Sequence, residues 1–386
     1  MVDCDRGLMG LRVLITNNTL AGRAGSELYV RDTALALLNL GHRPVAYSTV
    51  LGAVARELQD SGVPVVDDLN NLSEPPNLIH GQQHMELMTA LLHFPTLPAI
   101  QFCHNAISWY EKPVLFPRIR RYVAVDHICR KLLLRHQVPE EQIRVLLNFV
   151  DLDRFKPRRS PLPAAPNSAL LFSNYANEHT HLPAVREACA RASLKLDVIG
   201  SRANAPHAEP EKILGDYDIV FAKGRCALEA MAVGAAVVVC DSMGVGSLVT
   251  MNNIDTLRPL NFGRAALNQP LDAGVIAREI KRYDSADALQ VSQKIRASAG
   301  HEPIIDELIN LYQEVVREHQ DVREADTLAE SRATAAYLRQ LKLDFAANAD
   351  AATRLRERLE RVPGVGKLGV KLARSFMRRH RDREQL

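Results

Sequence analysis

With 386 residues, 47% of them hydrophobic and 24% charged, the sequence has the balance of a soluble globular protein, long enough for two ordinary domains and an appendage. Net charge is only +3, but from Ala351 onward eleven Lys/Arg stand against four Asp/Glu, so that tail carries +7, the other 350 residues carry −4, and any argument for a basic surface belongs to the tail alone. Six scattered cysteines without CxxC pairing argue against a zinc site and for a reducing compartment; with no signal-like N-terminus and no apolar run long enough to cross a bilayer, the expectation is a cytoplasmic protein.

Leu11–Thr16 reads as a buried first strand. A loop carrying Gly22 and Gly25 follows, then a helix to Leu40 with Ser26 as its N-cap, then a strand over Pro44–Ser48. Strand, glycine loop, helix, strand is the opening of a Rossmann-like unit, although the loop lacks the GxGxxG of a dinucleotide site. The alternation continues through Leu78–His80, a helix over Met85–His93, and a strand over Ala99–Cys103 that delivers His104 at its carboxyl end, where open parallel sheets bind ligands. Just beyond lies Ser108-Trp109-Tyr110-Glu111, an aromatic pair suited either to stack on a sugar face or to close a small satellite core. His80 and His84, with Glu86 nearby, have a spacing that is only weak support for a metal site. Strands over Arg121–Val125 and Ile143–Leu147 flank a helix over Asp126–His136. Four prolines between Lys156 and Asn167 then mark an inter-domain linker.

The second half restarts the pattern with a strand over Ala169–Phe172, a helix over His181–Ala192 and a strand over Leu194–Ile199, after which Arg202 would face the cleft. The most informative stretch is Asp216–Gly246, read as strand, tight turn, helix, buried parallel strand and glycine loop. The turn Lys223-Gly224-Arg225 at a helix N-terminus joins free backbone N–H groups to two cations, which suits an anion, and Glu229 lies one helical turn beyond Arg225. The same residues also fit an ordinary βαβ unit with surface charges. Asp255–Pro270 reads as irregular, Gly274–Tyr283 as helix, and Glu302–His319 as a closing helix.

Gly224-Arg225-x-Ala227-Leu228-Glu229-Ala230-Met231-Ala232-x-Gly234 resembles the donor-site signature of GT-B glycosyltransferases, in particular the large retaining family four. The start of the chain (Gly22-Arg23-x-Gly25-Ser26-Glu27) and Asn148-Phe149-Val150-Asp151-x-x-Arg154-Phe155 are similar to further motifs of that family. Three departures stand out: Phe221 replaces a usual Glu, a compact AKGR turn replaces a longer glycine loop, and Ser173–Asn177 lacks the usual basic pair. The resemblance implies an α/β protein with two Rossmann-like domains facing across a cleft, an acceptor-side domain over 1–155, a linker over 156–168 and a donor domain over 169–320. It implies a nucleoside-diphosphate sugar as donor, a glycan or lipid-linked acceptor, retention of configuration, and neither cofactor nor metal. Under it Lys223, Arg225, Arg202 and the Gly224 amide would meet the diphosphate, Glu229 the ribose, and His104 the donor sugar. Gly22 and Gly25 would admit the N-terminal loop, and His84 and Trp109 would lie on the acceptor side. A UDP-sugar 2-epimerase and a non-catalytic scaffold in a glycan assembly complex are the alternatives.

Residues 321–386 lie beyond that family's fold and read as a helical extension. Leu338, Leu341, Phe345, Asn348, Ala352, Leu355, Leu359 and Val362 step by threes and fours, which fits a coiled coil over 335–362 joining two copies, or a helix lying along the chain's own C-terminal domain. Residues 365–381 form a short basic amphipathic pattern suited to an anionic membrane surface, such as the inner face of the cell membrane, or to a solvated terminus; nothing in it marks a nucleic-acid site.

Overall fold

Two runs of strands, each buried on both faces, build two separate sheets in the computed structural model, which describes residues 10–205, 207, 209–321 and 326–360. The first run comprises β1 (Arg12–Thr16), β2 (Arg43–Tyr47), β3 (Val65–Val66), β4 (Leu78–Gly81), β5 (Ala99–Cys103), β6 (Ile119–Ala124) and β7 (Ile143–Val145). They pair in the order β3-β2-β1-β4-β5-β6-β7, every pair parallel. Helices α1 (Gly25–Asn39), α2 (Ala53–Asp60), α3 (His84–His93) and α4 (His127–Arg135) make the crossovers. Strand order reverses direction at β1 and β4, so a crevice opens at their carboxyl ends, the usual ligand position in such sheets.

The second sheet contains β8 (Ser168–Phe172), β9 (Lys195–Ile199), β10 (Ile219–Ala222), β11 (Ala236–Asp241) and β12 (Gly244–Leu248), in the order β12-β11-β10-β8-β9. Its crevice lies where β8 and β10 end. Helices α5 (Leu182–Arg191), α6 (Arg225–Val233), α7 (Ile254–Leu257), α8 (Ala273–Ile280) and α9 (Ser285–Ser298) accompany it. Alternate side chains serve opposite faces: Leu170, Val220, Val237 and Val239 pack with α6 and α9, while Leu171, Ile219, Phe221 and Val238 pack with α5 and α8. The last helix of this half, α10 (His301–Gln320), crosses back. Its Ile305, Leu308, Leu311, Tyr312, Val315 and Val316 belong to the core of the first sheet, as a closing helix should.

Several local expectations need correction. Ser26 does not cap α1; Ala24 stands at the cap with no side-chain bond of its own, and Glu27 lies three residues on, its carboxylate accepting from the Ala24 and Gly22 amides in the manner of half a capping box. The glycine loop after β11 is instead the antiparallel strand β12, held also by reciprocal backbone bonds between Val245 and Gln269 at 3.0 and 2.9 Å. The stretch expected to be irregular contains α7 and two short 3-10 turns. Helix α9, which no expectation covered, is started by Asp284 accepting from the Ala286 and Asp287 amides.

The extension forms one helix, α11 (Thr327–Glu360), and its contacts within the chain run along the first half rather than the C-terminal domain. Ala333 and Tyr337 pack on the first core, and Tyr337 Oη lies 3.1 Å from His84 Nδ1. Arg118, only 4% exposed, donates to both Glu330 oxygens (2.8 and 3.2 Å) and to the carbonyls of Leu91, Phe94 and Leu97. Lys112 Nζ meets Asp344 at 2.6 Å. Of the heptad stripe, Leu338 and Phe345 remain more than half exposed (57% and 53%), so this face is not consumed by the intramolecular contact. The basic pattern over 365–381 lies outside the described residues.

Glu330→Ala removes the bidentate acceptor of a buried guanidinium. The expected cost is about 2 kcal/mol, measured as a lower urea midpoint with little change in slope; an unchanged midpoint would mean that α11 contributes nothing to the stability of the first half.

Candidate functional site

The carboxyl ends of the two sheets bring a short list of side chains together between the halves. From the second half comes the β10–α6 turn. Gly224 stands at the N-cap with φ +63° and ψ −130°, a backbone conformation an L side chain would strain, and this lets Arg225 begin α6 immediately after the turn. The predicted use of the Gly224 amide is not what the structure shows: it donates to the Phe262 carbonyl at 2.9 Å. The amides of Arg225, Cys226 and Ala227 precede the first bond of α6, from Leu228 to Gly224 at 3.1 Å, and are the ones placed to face an anion.

Arg225 and Glu229 share one face of α6, as their spacing predicted, with Nη2 and Oε1 3.8 Å apart. Arg225 also reaches across to the first half and donates to Asp32 of α1. Its Nε and Nη1 are buried without a partner, so the guanidinium keeps two unmade donors inside the cleft. Asp32 is half-buried, yet the Arg225 and Arg31 cations outweigh the desolvation and hold its carboxyl below the ordinary range. Glu229 goes the other way: burial lifts it to about 7, against the pull of Arg225 and with the nearby Asp32 charge adding to the rise. One guanidinium thus faces two carboxylates, and Asp32 takes the closer ion pair.

Lys223 does not join Arg225. It pairs with Asp241 at the end of β11 and lies 5.6 Å from the centre of the Tyr175 ring, where Arg202 also sits at 5.2 Å. Tyr175 belongs to the Ser173–Asn177 loop after β8, so the basic residues that this loop lacks come in from its neighbours. His181, fully buried, has both ring nitrogens unpartnered; burial lowers its pKa, with Asp241 opposing and Lys223 adding to the fall. Phe221 is inside β10 with its ring in the core, so that position faces the interior rather than a ligand.

From the first half, His104 follows β5. Its backbone N–H donates to Glu111 Oε2 at 2.9 Å, its Nε2 meets the side-chain amide of Gln82, and its ring packs edge-on against Tyr29 at 4.8 Å. Burial, with Arg225 across the cleft, lowers it to about 3, so it is neutral at physiological pH. Glu111 is pushed up to about 7 by burial, in spite of amide donors from His104 and Asn105 and its bond to Gln83. Gly22 and Gly25 begin the loop and helix above β1, but the Gly22 and Ala24 amides turn to Glu27. His84 and Trp109 do meet, edge to face at 5.3 Å, and are then covered by α11: Tyr337 on His84, and Phe345 on Trp109 at 5.3 Å. No group of three or more His, Cys, Asp or Glu is placed to hold a metal ion among the described residues.

Tyr29, Asp32, Gln82, Glu111 and Tyr175 are the residues that sequence reasoning missed. Asp32 had only a weak signal, a carboxylate beside Arg31 in the first half of α1. Gln82 and Glu111 had none without the fold.

Residues 23–154 match the family model described as Glycosyltransferase Family 4. Among solved structures the chain is similar to a glycosyltransferase from Rickettsia africae ESF-5, with a TM-score of 0.60 at 15% identity over 80% of this chain and 99% of that one. It is also similar to Anabaena HepE in complex with UDP-glucose (0.59, 13%, 79% and 100%) and to a putative UDP-N-acetylglucosamine 2-epimerase from Listeria monocytogenes (0.51, 12%, 82% and 98%). No curated protein matches the sequence. At these identities the likeness is one of fold, and the fold is GT-B: two Rossmann-like halves facing across a cleft. The family-model match lies in the first half, and the GRxALEAMA signature lies in the second, outside the matched residues.

Glu229, with an ordinary value of 4.5 raised to about 7, keeps a proton in the folded chain that the unfolded chain has released. Between those two values the folded state binds more protons, so stability falls as pH rises through the window. Glu229→Gln is expected to flatten that fall by a few degrees in melting temperature; an unchanged slope would leave Glu111 and other groups as its source.

Proposed function

We propose that the chain transfers a sugar from a nucleoside-diphosphate sugar to a hydroxyl of a glycan or lipid-linked acceptor, with retention of anomeric configuration, in the assembly of a surface polysaccharide or glycolipid. The observation that carries this reading is Arg225: a buried guanidinium with two donors unmade, at a helix N-terminus, between Glu229 and the His104 side of the cleft. Buried donors without partners are costly, and an entering diphosphate supplies the missing acceptors. Glu229 then accepts from ribose hydroxyls, and Tyr175 with Arg202 and Lys223 offers an aromatic and cationic edge to the rest of the nucleotide. In the transfer, the bond from the anomeric carbon to the diphosphate breaks and one to the acceptor oxygen forms on the same face. The acceptor's proton passes to the departing phosphate oxygen. Arg225 and the α6 amides stabilise the charge that develops on that oxygen.

UDP is the first nucleotide to try, because a protein of the same fold is known in complex with UDP-glucose. This reading keeps the protein in the cytoplasm, with residues 365–381 on an anionic membrane surface and the exposed stripe of α11 available to pair two copies. No cofactor or metal enters the reaction as proposed. The Listeria neighbour gives one specific reason to test a second chemistry, 2-epimerisation of a UDP-sugar in the same cleft.

Melting temperatures with UDP, GDP, ADP, CDP and dTDP, for wild type and Glu229→Ala, test the nucleotide site. One nucleotide should raise the wild type by several degrees and the variant by much less. Arg225→Lys keeps the charge but loses the fork, and should cut turnover about 100-fold with a smaller change in nucleotide affinity. Stabilisation by no nucleotide would shift the reading to a scaffold role, and an epimerised sugar formed without acceptor would shift it to the epimerase.

A further inference from the structure

Four side chains form one buried hydrogen-bonded row from the back of the first sheet to the cleft. Tyr312 of α10 lies 2.5 Å from His80 Nδ1, His80 Nε2 lies 2.8 Å from the Gln82 amide, and Gln82 meets His104 Nε2. Tyr312, His80 and Gln82 are all fully buried. The row has two self-consistent polarities, because a neutral imidazole donates from one nitrogen and accepts at the other, and an amide donates from one end and accepts at the other. Which one holds is decided at the closed end. Among the described residues the Tyr312 hydroxyl has a single partner, His80 Nδ1. If Tyr312 accepted there, its own O–H would be left unmade in the core, at the full cost of desolvating a donor. Tyr312 therefore donates to His80 Nδ1. His80 must then carry its proton on Nε2 and give it to an acceptor, which turns the Gln82 oxygen toward His80. The Gln82 NH2 in turn donates to His104 Nε2, and the proton of His104 is left on Nδ1. The structure places Gln82 Nε2 toward His80 and Oε1 toward His104, the opposite sense; the two ends are alike in shape, so this polarity asks only that the amide be turned end for end.

We infer that Tyr312, His80 and Gln82 are positioning residues that hold His104 as its Nδ1–H tautomer, so that it offers the cleft a hydrogen-bond donor rather than a lone pair. The inference rests on the proposed function for the meaning of that donor: it would suit a sugar or phosphate oxygen. The tautomer itself follows from the row alone. It also gives α10 a role beyond packing, since a hydroxyl on the helix that crosses back from the second half sets the proton on the histidine at the cleft.

The test reads the tautomer directly, by nitrogen NMR of histidine-labelled full-length protein, with the His104 signals assigned through His104→Gln. Wild type is expected to show His104 protonated at Nδ1. Tyr312→Phe keeps the ring and loses only the hydroxyl, and should move the His104 population toward the Nε2–H form. Gln82→Glu, when ionised, offers only acceptors to both imidazoles and should drive His104 to Nε2–H even if the first variant folds poorly. In a transfer assay each variant should lower kcat by roughly 10- to 100-fold while nucleotide affinity stays within about twofold, as for other residues that orient a working imidazole. An Nε2–H wild type, or a tautomer unmoved in both variants, would overturn the inference. Tautomers that change as expected in a protein that binds no nucleotide would sustain it while removing the transferase reading.

Discussion

The burial of Arg225 is the constraint from which the arrangement of the cleft follows. A guanidinium cannot be taken out of water unpaired, and its own half supplies only Glu229, 3.8 Å away and near neutral in charge. The ionised partner comes from the other half, Asp32 on α1. Relative placement of the two sheets is thus tied to a charge pair at the position where a diphosphate would compete for the same donors. Near this pair Arg154 meets Glu211 at 2.7 Å and the Asn174 side-chain amide donates to the Arg23 carbonyl at 3.4 Å, and a further group of bonds lies away from the cleft. Asn261 joins the Val125 carbonyl and the Asn148 amide, Arg258 donates to the Asn148 carbonyl at 2.7 Å, and Val150 pairs with Gly300. These hold the hinge side, and Arg225 with Asp32 holds the ligand side.

Beside the charged Asp32, the His104 corner of the first half's crevice carries neutral groups. His104 is buried among Tyr29, Phe102 and Gln82 and faces Arg225, so two effects of the same sign keep it uncharged. Glu111, behind it, is lifted toward neutrality by the same burial. A cationic histidine opposite a buried arginine would add repulsion to a cleft that already has unmade cationic donors.

Much of the fold was legible because strands buried on both faces leave continuous apolar runs. β5 was placed to the residue, since Pro98 and His104 bound a run of five buried residues. Glu229 was legible for the opposite reason: a carboxylate four residues after Arg225 within an otherwise apolar helix has to share its face. What escaped depends on long-range geometry. Nothing local tells that the Gly224 amide is taken by Phe262, that Lys223 turns to Asp241, or that the cap of α1 is completed by Glu27 instead of Ser26. The tail shows the limit most clearly. Its three-four spacing was real, but a stripe alone does not name the surface it covers; the choice of the first half is made by Glu330 and Asp344, whose partners Arg118 and Lys112 are more than 200 positions away.

The position of α11 also shapes the surface beside His104. His84 and Trp109, at the start of α3 and in the loop beyond β5, would by themselves leave an aromatic edge open beside His104. Tyr337 and Phe345 close it, while Ile107, Leu115 and the outer face of Phe345 stay exposed around the rim. Closure by Tyr337 is polar, because a hydroxyl meets His84 Nδ1, and closure by Phe345 is only partial. An extension that merely stabilised the first half would bury its aromatics fully. One that leaves half of Phe345 in solvent next to Trp109 instead adds exposed apolar surface beside that pair.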